Sequence, residues 1–204
     1  MKLISLKPLV DLDACNGCVI RSNVCPTLAI TLVDKKAHVK EEDCRGCGAC
    51  DQRCPVYAVS MQKLEAPYTV AVAIDDIPYE KIEALCVRAN LNPEQIICYC
   101  TGTRAEEVAA AILKGATSPE DLSRETGIRT GCKVECIQPA LRLLQAAGVS
   151  PERPKGWQWY GLTPAVWNIP EEVKAKHNKS GFYFEEDIQL FKKVVEAKSE
   201  RRDS

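Results

Sequence analysis

The run at residues 44–55, Cys-Arg-Gly-Cys-Gly-Ala-Cys-Asp-Gln-Arg-Cys-Pro, constrains this chain more than any other stretch. Its spacing is C-x2-C-x2-C-x3-C-P. Three thiolates two residues apart on a tight loop can each meet a different metal ion of one compact cluster. Gly46 and Gly48 let the backbone turn close to the inorganic atoms, where its amides can hydrogen-bond to them. Pro55 ends the loop and turns Cys54 away from Cys44, Cys47 and Cys50. A disulfide framework or a zinc knuckle is the competing account.

Twelve cysteines in 204 residues gather in tight groups, which favours metal over disulfides. A formal charge of −1 gives no reason to expect nucleic acid or a membrane surface as partner. The N-terminal residues lack the apolar core of a signal peptide, and no apolar run approaches a membrane span. A reducing, cytoplasmic setting without membrane insertion is expected.

Displaced by 29 positions, the motif meets itself: Cys44, Cys47, Cys54 and Pro55 fall on Cys15, Cys18, Cys25 and Pro26. This internal repeat resembles the bacterial-type two-cluster ferredoxins, in which two short hairpins and two short helices surround two [4Fe–4S] cubanes. In that family the fourth cysteine of each run crosses to the other cluster. The resemblance then implies one complete set, Cys25, Cys44, Cys47 and Cys50. The other set, Cys15, Cys18 and Cys54, is incomplete, because its fourth position is Arg21, a donor-only cation that cannot ligate iron. Three outcomes stay open there: a decayed site that is empty or filled by packing, a three-cysteine cluster such as [3Fe–4S], or recruitment of Cys86. Against recruitment, Cys86 lies on an apolar helical stripe with Tyr79, Ile82 and Ala89, where a free thiol is usually a small buried hydrophobe.

Residues 68–74 are rich in β-formers and predict a strand. Asp75, Asp76 and Pro78 predict a helix start, with the helix running to about Ala89. Beyond it, Cys98-Tyr99-Cys100 and Cys132–Cys136 bracket two helices: one opened by a capping box at Thr103–Glu106 and stopped by Gly115, one opened by Ser118-Pro119 and closed by Gly127. A third helix is expected along Val134, Ile137, Leu141 and Leu144 to Ala147, with Pro139 in its first turns. Cys-x-Cys, a helical pair and a second cysteine pair resemble the bacterioferritin-associated ferredoxin domain. The resemblance implies a [2Fe–2S] cluster on Cys98, Cys100, Cys132 and Cys136. The closing pair is C-x3-C where that family usually has C-x2-C, so Cys136 departs from the pattern. A structural zinc site of four thiolates is the alternative.

After residue 150 the composition changes. Every Trp and Phe lies there (Trp157, Trp159, Trp167, Phe182, Phe184, Phe191), and prolines at 151, 154, 164 and 170 oppose a compact helical core in its first half. One amphipathic helix is expected over about 185–198, followed by a frayed end. Rings with so little core of their own must wrap back on the metal domains or lie across a partner; the partner is the expectation.

The chain is thus expected to be α+β: a ferredoxin-like two-cubane domain over 1–65, a linker strand and helix over 66–94, a small all-α [2Fe–2S] helix-turn-helix domain over 95–149, and an extended docking tail over 150–204. No dinucleotide fingerprint or nucleophile–base pair stands out, so no catalytic site of its own is expected. Electron transport follows: a non-catalytic oxidoreductase subunit relaying single electrons between a flavoprotein partner and another redox centre. Domains of the second type occur with flavoprotein subunits in amine and amino-acid dehydrogenases, and redox complexes of anaerobic metabolism are equally open. The alternative is a metal sensor or delivery protein, motivated by the incomplete set.

Overall fold

A computed structural model describes residues 1–151 and 161–198. Strand β1 (Lys2–Val10) pairs antiparallel with β4 (Val59–Val70), Val10 opposite Val59 and Lys2 opposite Val70, with a register shift between Ile4 and Leu6. The strand expected at 68–74 therefore starts earlier and stops at Val70, where the pairing with β1 ends at Lys2. Between these strands lie α1 (Ile20–Val24), the hairpin β2 (Ile30–Val33) and β3 (Lys36–Val39), and α2 (Ala49–Gln52). Asp34 and Lys35 both take positive φ at the hairpin tip, as a two-residue turn matched to strand twist requires. The core here is small: Cys15, Ala29, Ile30, Ala37, Cys54, Ala58 and Val59 are among its buried members. So little apolar bulk leaves this part dependent on what its cysteines hold.

A second, larger core joins α3 (Tyr79–Arg88), α4 (Ala105–Leu113), α5 (Pro119–Thr126) and α6 (Ile137–Ala146) through Ile82, Leu85, Val108, Leu122, Leu143 and Leu144. This part is not purely helical. Strands β5 (Ile96–Cys98) and β6 (Thr103–Arg104) form a short antiparallel pair. Ser118 caps α5 by accepting from the Asp121 amide, and Gly127 ends it with φ of 80°. The capping box on α4 sits one residue later than expected. The Arg104 amide donates to Glu107, while Thr103 turns its hydroxyl to Thr101 and Thr126. Helix α6 begins at Ile137, leaving Val134 exposed outside it. Pro139 falls in its first turn, where an amide has no intrahelical acceptor to lose.

In the tail, α7 (Glu171–His177) was not foreseen, and α8 (Phe184–Glu196) is the amphipathic helix. It returns to the second core. The Asn92 side-chain amide donates to the carbonyls of Val194, Val195 and Ala197. The Trp167 ring lies 5.0 Å from Phe191 and 4.9 Å from the Arg142 guanidinium. The described tail thus folds back on the chain itself. Pro154, Trp157, Trp159, Tyr160 and the end expected to fray at 199–204 lie outside the described residues. Among the described residues no helix is long and apolar enough to cross a membrane.

Candidate metal centres

Cys25, Cys44, Cys47 and Cys50 line one cavity, walled by Pro8, Ala29, Ile30 and Met61. The loop that carries the last three is pressed against β1. Gly46 has φ of +60°, and a Cβ there would stand 2.5 Å from the Leu6 carbonyl oxygen, so only glycine fits. Its amide donates to Cys44 Sγ at 3.5 Å. Burial pushes the Cys50 thiol up to about 12, with the neighbouring Cys47, Cys44 and Cys25 adding to it. Thiols crowded this closely shed their protons only to a positive centre, and four sulfurs around an apolar cavity suit a cubane.

The other set looks different. Arg21 is 1% exposed, and its guanidinium fills the space between two of the three remaining cysteines. Nη1 donates to Cys15 Sγ at 3.1 Å and Nη2 to Cys54 Sγ at 2.7 Å. Burial alone would raise the Cys15 thiol, but the amides of Ala37 and Gly17 and the Arg21 cation bring it down to about 7. Cys54 is likewise held below the ordinary thiol value against its burial, by Arg21 and the amides of Val56 and Ala58. Cys18 stands partly exposed. These residues do not fit a cluster. Cys86 is not brought to them: it packs in α3 in the second core, where burial pushes it up to about 12.

Cys98, Cys100, Cys132 and Cys136 come together where β5, the turn after it and the N-terminus of α6 meet. Cys98 and Cys136 are buried and share a hydrogen bond that lowers the first thiol and raises the second. Cys100 and Cys132 are exposed, and the Cys132 amide donates to Cys100 Sγ at 3.3 Å. Gly131 permits this approach, since a Cβ there would lie 2.4 Å from Cys100 Cβ. Cys136, the residue that departed from the expected spacing, is therefore in the set. Two thiols inside and two at the surface suit a two-iron cluster with one open edge. Among the described residues, no three or more Cys, His, Asp or Glu converge as a site for a single metal ion.

Sequence reasoning missed the residues that join the two centres. Arg124 donates to the Thr27 carbonyl at 2.8 Å, Arg129 to Pro26 at 3.5 Å and Lys133 to Val24 at 3.0 Å. Three cations of the second part thus hold both flanks of Cys25 in the first. Arg45, inside the opening motif, donates back to the Arg124 carbonyl at 2.6 Å. Arg129 is itself buried against Glu120 at 3.1 Å, and it takes a left-handed backbone, as Lys133 does. The Lys2 ammonium donates to Thr130 at 2.6 Å and feels the charges of Cys44 and Cys47 on one side and of Cys98 and Cys100 on the other. Cys47 and Cys132, one from each set, line the same open cleft with Asn23, Arg53 and Lys133.

Two cysteine sets, each on an amide-rich loop, define an iron–sulfur protein. Residues 7–55 match the 4Fe-4S dicluster domain family, and residues 96–146 match the BFD-like [2Fe-2S] binding domain family. The chain therefore carries the first kind of domain followed by the second, and with them both cluster types. No curated protein and no solved structure matches it.

Proposed function

We propose that this chain is an electron-transfer subunit of an oxidoreductase complex, relaying single electrons between a flavoprotein partner and another redox centre or carrier. Its setting would be a reducing cytoplasm, anaerobic metabolism being one context, with the first domain built as a ferredoxin-like unit of the two-cubane type. The observation that carries this reading is the shared cleft, where Cys47 of one centre and Cys132 of the other face the same opening. Bound clusters supply one-electron chemistry, with potentials set by hydrogen bonds, charge and exposure. The chain supplies the rest. Exposed Cys100 and Cys132 bring one centre to the surface, and the buried Cys25 and Cys50 shield the other. Burial lowers the Lys2 and Lys133 ammonium groups, and the cysteines nearby (both sets for Lys2, the first set for Lys133) oppose that shift. What positive charge they carry favours the more negative, reduced forms. The delivery reading drew on an open fourth position in the incomplete set. Arg21 fills that position, which removes its motivation.

Anaerobic isolation with associated subunits, followed by stepwise reduction and reoxidation, tests the proposal. A relay copurifies with a flavin-bearing subunit and cycles without releasing iron; a chain found alone that surrenders iron to an acceptor ends the reading. Cys50→Ser should abolish the cubane's electron paramagnetic resonance (EPR) signal and leave the two-iron signal intact. Loss of both signals would show that the two ligand sets are not separate.

A further inference from the structure

We propose that Arg21 stands in for the second cubane: its guanidinium, tied to Cys15 and Cys54, closes the first repeat without metal, so a domain of dicluster pattern matures with a single [4Fe–4S] cluster. The proposal is independent of whether the chain relays electrons. Position 21 is the repeat-equivalent of Cys50, so the same backbone site that aims a sulfur into one centre aims a cation into the other. The cation reaches both facing thiols, at 3.1 and 2.7 Å, and is itself 1% exposed. A guanidinium offers only N–H donors, with no lone pair for iron, while its charge suits two thiolates. Cys25, Cys44, Cys47 and Cys50, by contrast, line a cavity whose neighbouring cation, Arg45, directs its guanidinium to the carbonyls of Glu42, Cys44 and Arg124 rather than to the four sulfurs. The substitution leaves one mark: Arg21 Nε is buried with no hydrogen-bond partner, as expected of a side chain occupying a space shaped for another group.

The test is an iron and sulfide count with EPR on the full chain, purified anaerobically and reconstituted with ferrous iron and sulfide. Wild type should hold about six irons, four in the cubane and two in the second centre. Cys18→Ser, at a partly exposed position, should leave count and spectra unchanged. Arg21→Cys should raise the count to about ten and add a second reduced cubane, seen as broadening by its neighbour. A wild-type count of about nine with a three-iron signal in the oxidised state, or of about ten, overturns the proposal. Loss of iron in Cys18→Ser does so as well. An Arg21→Cys chain that folds yet stays at about six overturns the claim that Arg21 is what excludes the second cluster. Should that variant fail to fold, the wild-type and Cys18→Ser counts still decide.

Discussion

A guanidinium between two thiolates answers to protons. Against its burial, the amides of Ala37 and Gly17 and the Arg21 cation bring the Cys15 thiol down to about 7 in the folded chain, below the ordinary thiol value of about 8.5. The folded state therefore binds fewer protons between these values, and stability rises with pH there. The contribution is complete above about pH 8.5 and is lost as pH falls through about 7. Anaerobic urea unfolding should show the midpoint of the wild type dropping by about 0.5 M across that window. Arg21→Met should show a smaller drop, since the amides of Ala37 and Gly17 still lower Cys15, and should unfold earlier at high pH. Position 21 was legible in the sequence as a missing ligand, because the repeat supplies its own reference. Its new role was not, since nothing in a one-residue mismatch says where a long side chain ends.

Elements here are fixed by close approaches that tolerate no added atom. Gly131→Ala would drive a methyl into Cys100, whose Sγ lies 2.6 Å from the Cβ position. The two-iron EPR signal should be lost or much reduced while the cubane signal persists. The end of the tail helix is tied down by the Asn92 side chain. Asn92→Ala removes donors to three carbonyls at the end of α8 and should cost its docking about 1–2 kcal/mol. Faster hydrogen exchange confined to α8, with unchanged spectra, would report this. Caps that are local, such as Ser118 and Gly127, could be read from the sequence. The box on α4 slipped by one because Glu106 and Glu107 are adjacent, and only the fold shows which reaches back. The end of β4 was illegible for a different reason: its limit is set by pairing with a strand distant in sequence.

At the scale of the molecule, the two cysteine sets were legible from spacing, but the bridge between them was not. Arginines and lysines donating to backbone carbonyls leave no pattern in a sequence, and Arg124, Arg129 and Lys133 look like ordinary surface charges until their acceptors flank Cys25. The cubane should therefore depend on a residue outside its own domain. Arg124→Ala is expected to speed loss of cubane iron to a chelator several-fold, about a factor of 3 to 10 for one hydrogen bond, and to leave the two-iron centre unchanged. Equal rates in mutant and wild type would mean that Cys25 is held without that bridge. The arginine at position 21 has a consequence for biogenesis. Because Cys15 and Cys54 are fastened by a group already in the polypeptide, that side of the domain needs no inorganic group to close it. If the single-cluster proposal holds, the domain has one cubane to receive, opposite a site that the chain itself has filled.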